Sequence, residues 1–485
     1  MSGAGKSLLV TALCRIFRED GLRVAPFKSQ NMALNSYITA DGLEMGRAQA
    51  AQAEACGKLP DVRMNPILLK PTSDVGSQLI VNGRVRGTYR AAEYFRMKKS
   101  LIPDIMEAFR SLEAENDVIV IEGAGSPAEI NLRSDDIVNM GLAAMVDAPV
   151  ILVGDIDPGG VFAQLYGTIM LLAEDERARI AGTVINKFRG DSEILRPGLG
   201  MLEDLTKVPV LGVIPYADID IDDEDSLSPH LAGGGHDRPI DIAVIRFPRI
   251  SNFTDITPLS AHPHLGVRYV GRPADFGQPD LVILPGTKNT LDDLLWLREN
   301  GLETRILRHA HAGGPLLGIC GGYQMLGEHL SDPEGSDSGR AGSSMRGLGL
   351  LPTVTVFGSQ KIRRQVRGSV CADVFAGASV TGYEIHMGET HVADGAGPFA
   401  HVHCGSGTRP DGCVNGSVFG TYIHGLFDTG ELTEKMALYL MKKKGITADD
   451  ISVEPRISYK ERQYARLADI VRGSLDMEAV YRALR

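Results

Sequence analysis

The sequence predicts an α/β protein: a doubly wound P-loop-type parallel-sheet domain, then a second α/β domain and a helical C-terminal tail. Three observations predict it. Short apolar runs such as Asp117-Val-Ile-Val-Ile-Glu122 and Asp280-Leu-Val-Ile-Leu-Pro-Gly-Thr287 alternate with segments of helical period, the pattern of parallel strands buried on both faces. Two glycine-rich turns that open a helix occur, Gly3-Ala-Gly-Lys-Ser7 and Gly318-Ile-Cys-Gly-Gly-Tyr-Gln324. Between the halves, residues 217–238 are acidic and then glycine-rich, as domain linkers are. The expected spans are therefore 1–216, a linker over 217–238, 239–432, and a tail over 433–485.

Composition narrows the function classes. With 43% hydrophobic and 23% charged residues, 485 residues suffice for two or three globular cores. Six cysteines without a CxxC pair or metal-ligand spacing fit reduced thiols and a cytoplasmic location. A net charge of −11 argues against nucleic acid as the main partner, and no apolar run is long enough for membrane insertion. Whether the chain forms a homo-oligomer stays open.

Taken in order, Gly5, Lys6 and Ser7 precede an amphipathic helix with Leu9, Leu13, Ile16 and Phe17 on one face. Such a loop cradles phosphate on backbone N–H groups, extends a lysine to the outer phosphates and offers a hydroxyl to Mg²⁺. A phosphate loop ordinarily follows a buried strand, yet this sequence opens inside the loop. The expectation is a start codon assigned too late or a truncated form, the former being favoured. Strand Leu22–Lys28 leads to Lys28, Gln30 and Asn31, polar groups past a strand's C-terminal end, where open α/β sheets bind ligands; a solvated loop is the alternative. Lys70 follows. Glu122 ends the next buried strand, a place that suits a Mg²⁺-holding acid. Asp155, Asp157 and Asn186 end two further strands, and Asn186 is a candidate nucleotide contact.

In the second half, Cys320 sits between Gly318 and Gly321-Gly322 at a strand-to-helix bend, near the positive end of the following helix. That placement favours a nucleophilic thiolate; a small buried apolar residue is the bland alternative. His424 ends strand Val418–His424 and is the candidate base. Backbone N–H groups at Gly286 and Gly321 are candidates for holding an oxyanion. Residues 331–345 read as a mobile insertion, and the chain after Gly430 as helical.

The strand-Pro285-Gly286 turn, the Cys320 elbow and the late His424 resemble class I-type glutamine amidotransferases. The resemblance implies glutamine hydrolysis through a cysteinyl thioester, with release of ammonia and with Gly286 and Gly321 contacting the glutamine. One departure stands out: the usual His-Pro-Glu is here His424-Gly425-Leu426. The third triad carboxylate is thus expected to be absent, leaving a Cys–His dyad with slower hydrolysis. His386, in Gly382-Tyr-Glu-Ile-His386, is expected to line the ammonia exit or acceptor side. Pro26–Ser36, Met64–Pro71, Ile121–Asn131 and Gly382–His386 look like the cobyric acid synthase family, whose N-terminal half is similar to dethiobiotin synthetase. That resemblance covers nearly the whole chain. It implies amidation of the b, d, e and g carboxylates of adenosylcobyrinic acid a,c-diamide, a corrinoid substrate, using ATP, Mg²⁺ and glutamine. Lys6, Ser7 and Glu122 would handle Mg-ATP, with Ser7 and Glu122 as metal ligands. Lys28, Gln30, Asn31 and Lys70 would serve the phosphate and acceptor region. In a second departure, Pro158 stands where that family usually has Arg. The a,c-diamide synthases and, far behind, ParA-like partner-binding ATPases are the alternatives.

Overall fold

The computed structural model describes residues 3–73, 76–131, 133–221, 238–404, 407–447 and 454–484. The chain divides into two units, one of Met1–Ala33, Met45–Asp222 and Lys460–Arg485, the other of Leu34–Glu44 and Asp223–Tyr459. These cuts differ from the contiguous spans expected from the sequence. A strap from the first half and the start of the tail go with the second unit, while the last helices go with the first. Most of the expected linker, residues 222–237, lies outside the described residues; Ile219 and Ile221 just before it are buried in the first unit's core.

In the first unit, strand β1 (Val24–Phe27) pairs in parallel with β2 (Val118–Ile121). Strands β3 (Val150–Asp155), β4 (Ile180–Phe188) and β5 (Val210–Pro215) form a parallel sheet in the order β5-β4-β3. The helix Lys6–Glu19 buries Leu9, Leu13, Ile16 and Phe17, the face its spacing foretells. Its N-cap is Gly5 at φ 80°, a left-handed conformation that glycine adopts without a Cβ clash. The helices Arg456–Ser474 and Met477–Ala483 bring Tyr464, Leu467, Val471 and Val480 into the same apolar cluster.

The second unit is built on a six-stranded sheet. Its members are β6 (Ile240–Ile245), β7 (Leu265–Val270), β8 (Leu281–Leu284), β9 (Leu316–Ile319), β10 (Cys413–Asn415) and β11 (Val418–Thr421), in the order β7-β6-β8-β9-β11-β10. All neighbours are parallel except β10 and β11. The core strands β8, β9 and β11 are buried throughout, which explains their largely apolar sequence. A second sheet is dominated by the long antiparallel pair Thr353–Val370 and Ser379–Val392.

Residues 331–345 are not a loose insertion. His329–Asp332 pairs antiparallel with Ser343–Arg346, and the buried Asp332 carboxylate accepts hydrogen bonds from the backbone of Ser336, Asp337 and Ser338. Asp337 in turn accepts from Thr290 N and Leu291 N, closing the open N-terminus of helix Thr290–Glu299. Polar residues that read as a mobile insertion are spent on backbone donors.

Candidate functional site

Strand β9 delivers Cys320 to a turn at φ 52° and ψ −108°, outside the usual wells for a residue with a Cβ. Tight packing enforces the strain. A methyl group added to Gly322 would lie 1.9 Å from Leu284 O, and one on Gly318 would lie 2.7 Å from Tyr323 N. Cys320 N donates to Thr421 O at 2.8 Å, tying the elbow to the end of β11. The helix Gly321–Leu326 starts directly at the thiol, whose Sγ lies 3.5 Å from Ile385 O.

Just beyond β11, His424 exchanges backbone hydrogen bonds with Tyr383, whose ring stacks on the imidazole with centroids 5.4 Å apart. Its Nε2 has no hydrogen-bond partner among the described residues, and Cys320 is among the groups that act on the ring's ionisation. Nδ1 lies 2.6 Å from Asp255 Oδ2, and Asp255 Oδ1 accepts the Gly425 N–H at 2.8 Å. A carboxylate therefore does face the histidine, which corrects the expectation of a bare dyad. It comes from the 3₁₀ turn Phe253–Ile256, 169 residues upstream, instead of from the residues after His424. Burial alone would push the imidazole's pKa down, but Asp255 and the Cys320 sulfur raise it to about 10.

Gly286 and Gly321 also meet here. A methyl group on Gly286 would lie 3.2 Å from His424 Cε1, and one on Gly321 2.7 Å from Thr287 Cγ2. A side chain would crowd Ser251 and His424 at the first position and would force Thr287 aside at the second, so both turns are bare backbone. Thr287 fixes its turn by donating to the buried carboxylate of Asp293; burial raises that acid's pKa to about 6. His386 lies in this unit, its ring 3.7 Å from that of Tyr422 and its Nδ1 3.0 Å from Gly388 O. Burial lowers its pKa to about 4, so it is a neutral imidazole at neutral pH.

In the first unit a different cluster forms. Glu122 accepts from Ser7 Oγ at 2.8 Å, from Lys28 Nζ at 2.9 Å and from Gln52 Nε2 at 2.6 Å. Burial would raise its pKa, but Lys28 together with the Gln52 and Ser7 bonds holds it below the ordinary carboxylate value. Gln52, fully buried, keeps Oε1 without a partner among the described residues. An ionised carboxylate, a hydroxyl and an unpaired amide oxygen are the hard donors that Mg²⁺ prefers, so the residues fit that ion. Asn186 Nδ2 donates to Ala4 O at 2.9 Å, bracing the phosphate loop. Lys187 Nζ reaches both Gly3 O and Asp155 Oδ2 at 2.7 Å; a cation thus stands at the loop despite Pro158. Lys6 Nζ lies 3.3 Å from Gly125 O. Lys28, Asn31 and Lys70 are buried, with Asn31 donating to Gln49 Oε1 and Gln30 accepting from Tyr94.

Comparison with known proteins agrees with both halves. Residues 1–228 match the CobQ/CobB/MinD/ParA nucleotide binding domain, and residues 241–432 match the CobB/CobQ-like glutamine amidotransferase domain. Along its whole length the chain is 56% identical to a cobyric acid synthase of Ruminiclostridium cellulolyticum, covering 95% of that protein. It is 53% identical to one of Lachnoclostridium phytofermentans and 52% identical to one of Streptococcus sanguinis, covering 97% of each. The chain belongs to the cobyric acid synthase family.

Within that family frame, sequence reasoning singled out Cys320, His424, Ser7, Lys28 and Glu122, which the fold gathers at two places. It missed Asp255 and Gln52. For Asp255 a signal existed: Ser251-Asn-Phe-Thr-Asp255 is a polar cluster shortly after the C-terminal end of β6, the edge where open α/β sheets collect functional groups. No helix among the described residues is long and apolar enough to cross a membrane.

Proposed function

We propose that the chain is an ATP- and glutamine-dependent amide ligase that converts the b, d, e and g carboxylates of adenosylcobyrinic acid a,c-diamide to amides. The observation that carries this reading is a strained cysteine facing a buried histidine in a chain that also holds a phosphate loop, in a family whose relatives are named cobyric acid synthases.

On the glutaminase side, Cys320 Sγ attacks the glutamine side-chain carbonyl carbon while His424 Nε2 holds the thiol proton. The Gly286 and Gly321 N–H groups receive the negative oxygen. Cleavage of the C–N bond passes that proton from His424 to the departing ammonia and leaves a thioester. Water, deprotonated by His424, then releases glutamate and regenerates the thiol. On the ligase side, Gly5, Lys6 and the N-terminus of helix Lys6–Glu19 hold the ATP phosphates, and Asn186 steadies the loop beneath them. Ser7 and Glu122 would hold Mg²⁺, which offsets phosphate charge when bound. Lys28, Gln30, Asn31 and Lys70 bind the outer phosphate and the acceptor carboxylate. That carboxylate takes the terminal phosphoryl group of ATP, and ammonia displaces phosphate from the acyl phosphate to give the amide. His386, neutral, lines the side of the glutaminase centre from which ammonia leaves.

The test is mass spectrometry of the a,c-diamide incubated with ATP and either glutamine or ammonium. Cys320→Ala is expected to lose glutamine-dependent amidation by at least ~10³-fold while keeping the ammonium-dependent reaction. Cobyrinic acid offered in parallel separates the earlier a,c-amidations. No mass change of the a,c-diamide with either nitrogen source would overturn the reading.

A further inference from the structure

We propose that Asp255 is the positioning carboxylate of the glutaminase centre, supplied from a turn ahead of the nucleophile in place of the residue that would ordinarily follow the histidine. The inference deepens the glutaminase reading above and rests on it.

Two observations point the same way. One is the carboxylate itself, buried and split between two donors, with Oδ2 on the His424 ring and Oδ1 on the Gly425 N–H. The other is Gly425. In the His-Pro-Glu arrangement the second residue has no N–H and is fixed near φ −65°. Gly425 has an N–H, uses it on Asp255, and sits at φ 74°, which proline cannot reach. Loss of the trailing Pro-Glu pair and gain of an upstream acid are thus two halves of one arrangement. The glycine makes the donor that a second carboxylate oxygen needs.

The chemistry follows from which ring nitrogen is taken. With Asp255 accepting at Nδ1, the Nδ1 proton stays put and Nε2 is the atom that exchanges a proton with Sγ. When Nε2 takes the thiol proton, the imidazolium charge forms against the Asp255 carboxylate in a buried site. When the C–N bond breaks, the same proton leaves with ammonia, and Asp255 keeps its place on Nδ1 throughout. The groups facing His424 are Asp255 from the 3₁₀ turn, Cys320 from the elbow, and Tyr383 and His386 from the long strand Ser379–Val392. Of these only Asp255 brings a negative charge to Nδ1.

The test compares glutamate release from glutamine in wild type, Asp255→Asn and Asp255→Glu, with ammonium-supported amidation measured on the same samples. Asp255→Asn is expected to lower glutaminase kcat by roughly 10²- to 10⁴-fold with KM for glutamine little changed. The alkaline limb of its pH profile should move to lower pH, because the imidazolium loses its stabilising charge. Ammonium-supported amidation should remain, and Asp255→Glu should recover part of the loss. A wild-type kcat and pH profile in Asp255→Asn would overturn the proposal. If Asp255→Asn loses the ammonium reaction as well, Asp255→Glu decides: a displaced glutaminase pH profile supports the positioning role, and an unchanged one overturns it. Failure of the underlying reading looks different, since Cys320→Ala would then still release glutamate.

Discussion

The centre around Cys320 depends on single residues whose ionisation the interior controls. Asp255 and the Cys320 sulfur favour the charged form of His424 against its burial, while Asp411, a few residues before β11, is pushed toward its neutral form. Burial and then the neighbouring Glu384 raise its pKa to about 7, although its carboxylate accepts from Thr421 Oγ1 and Tyr422 N. Unfolded, the same group titrates near 4. Between about pH 4 and pH 7 the native state therefore binds the extra proton, and stability contributed by this residue falls as pH rises through that window. Asp411→Asn keeps the shape and removes the ionisation. The urea midpoint of the variant is expected to decline less than that of wild type between pH 4 and pH 7. Equal declines in the two proteins would rule out Asp411 as the source.

At the scale of elements, the strap Leu34–Glu44 is the least obvious feature. It is continuous in sequence with Lys28, Gln30 and Asn31, yet it packs in the glutaminase unit. Ile38 joins Tyr383 and Ile385 in a buried cluster, Tyr383 donates to Ser36 O at 3.0 Å, and Ser36 N donates to Asn252 Oδ1 at 3.2 Å. Tyr383 backs His424, and Asn252 opens the turn that carries Asp255. One short segment thus braces both partners of the imidazole. Tyr383→Phe keeps the ring stack and deletes only the bond to the strap. The expected cost is about 1–2 kcal/mol of stability, the value of a lost buried hydrogen bond, read by urea unfolding. Glutamine-dependent turnover should fall more than ammonium-dependent turnover in this variant, and an equal effect on both would argue against the brace.

For the whole molecule, two chemistries share one chain, and each should fail separately. Glu122 gathers Ser7, Lys28 and Gln52 in the first unit. Glu122→Gln retains the shape but not the charge that balances Lys28, and it weakens the metal position. Amidation is expected to drop by ~10²-fold or more with either nitrogen source, while the Cys320–His424 pair is untouched and glutamine can still be hydrolysed. Loss of the glutamine-dependent reaction alone would place Glu122 on the wrong half of the chemistry.

How much of this was legible in the sequence follows from the range of the forces involved. The Cys320 elbow, the phosphate loop and the buried parallel strands could be read because glycine geometry and apolar runs act over a few neighbouring residues. Family motifs then linked the halves to glutamine and nucleotide chemistry. The partner of His424 could not be read, because Asp255 lies 169 residues away and its register depends on where the turn after β6 meets the end of β11. The same holds for the strap at 34–44, for Gln52 beneath Glu122, and for the terminal helices that complete the first unit's core. Local pattern fixes which side chains are placed at strand ends. Only long-range packing decides which of them face each other.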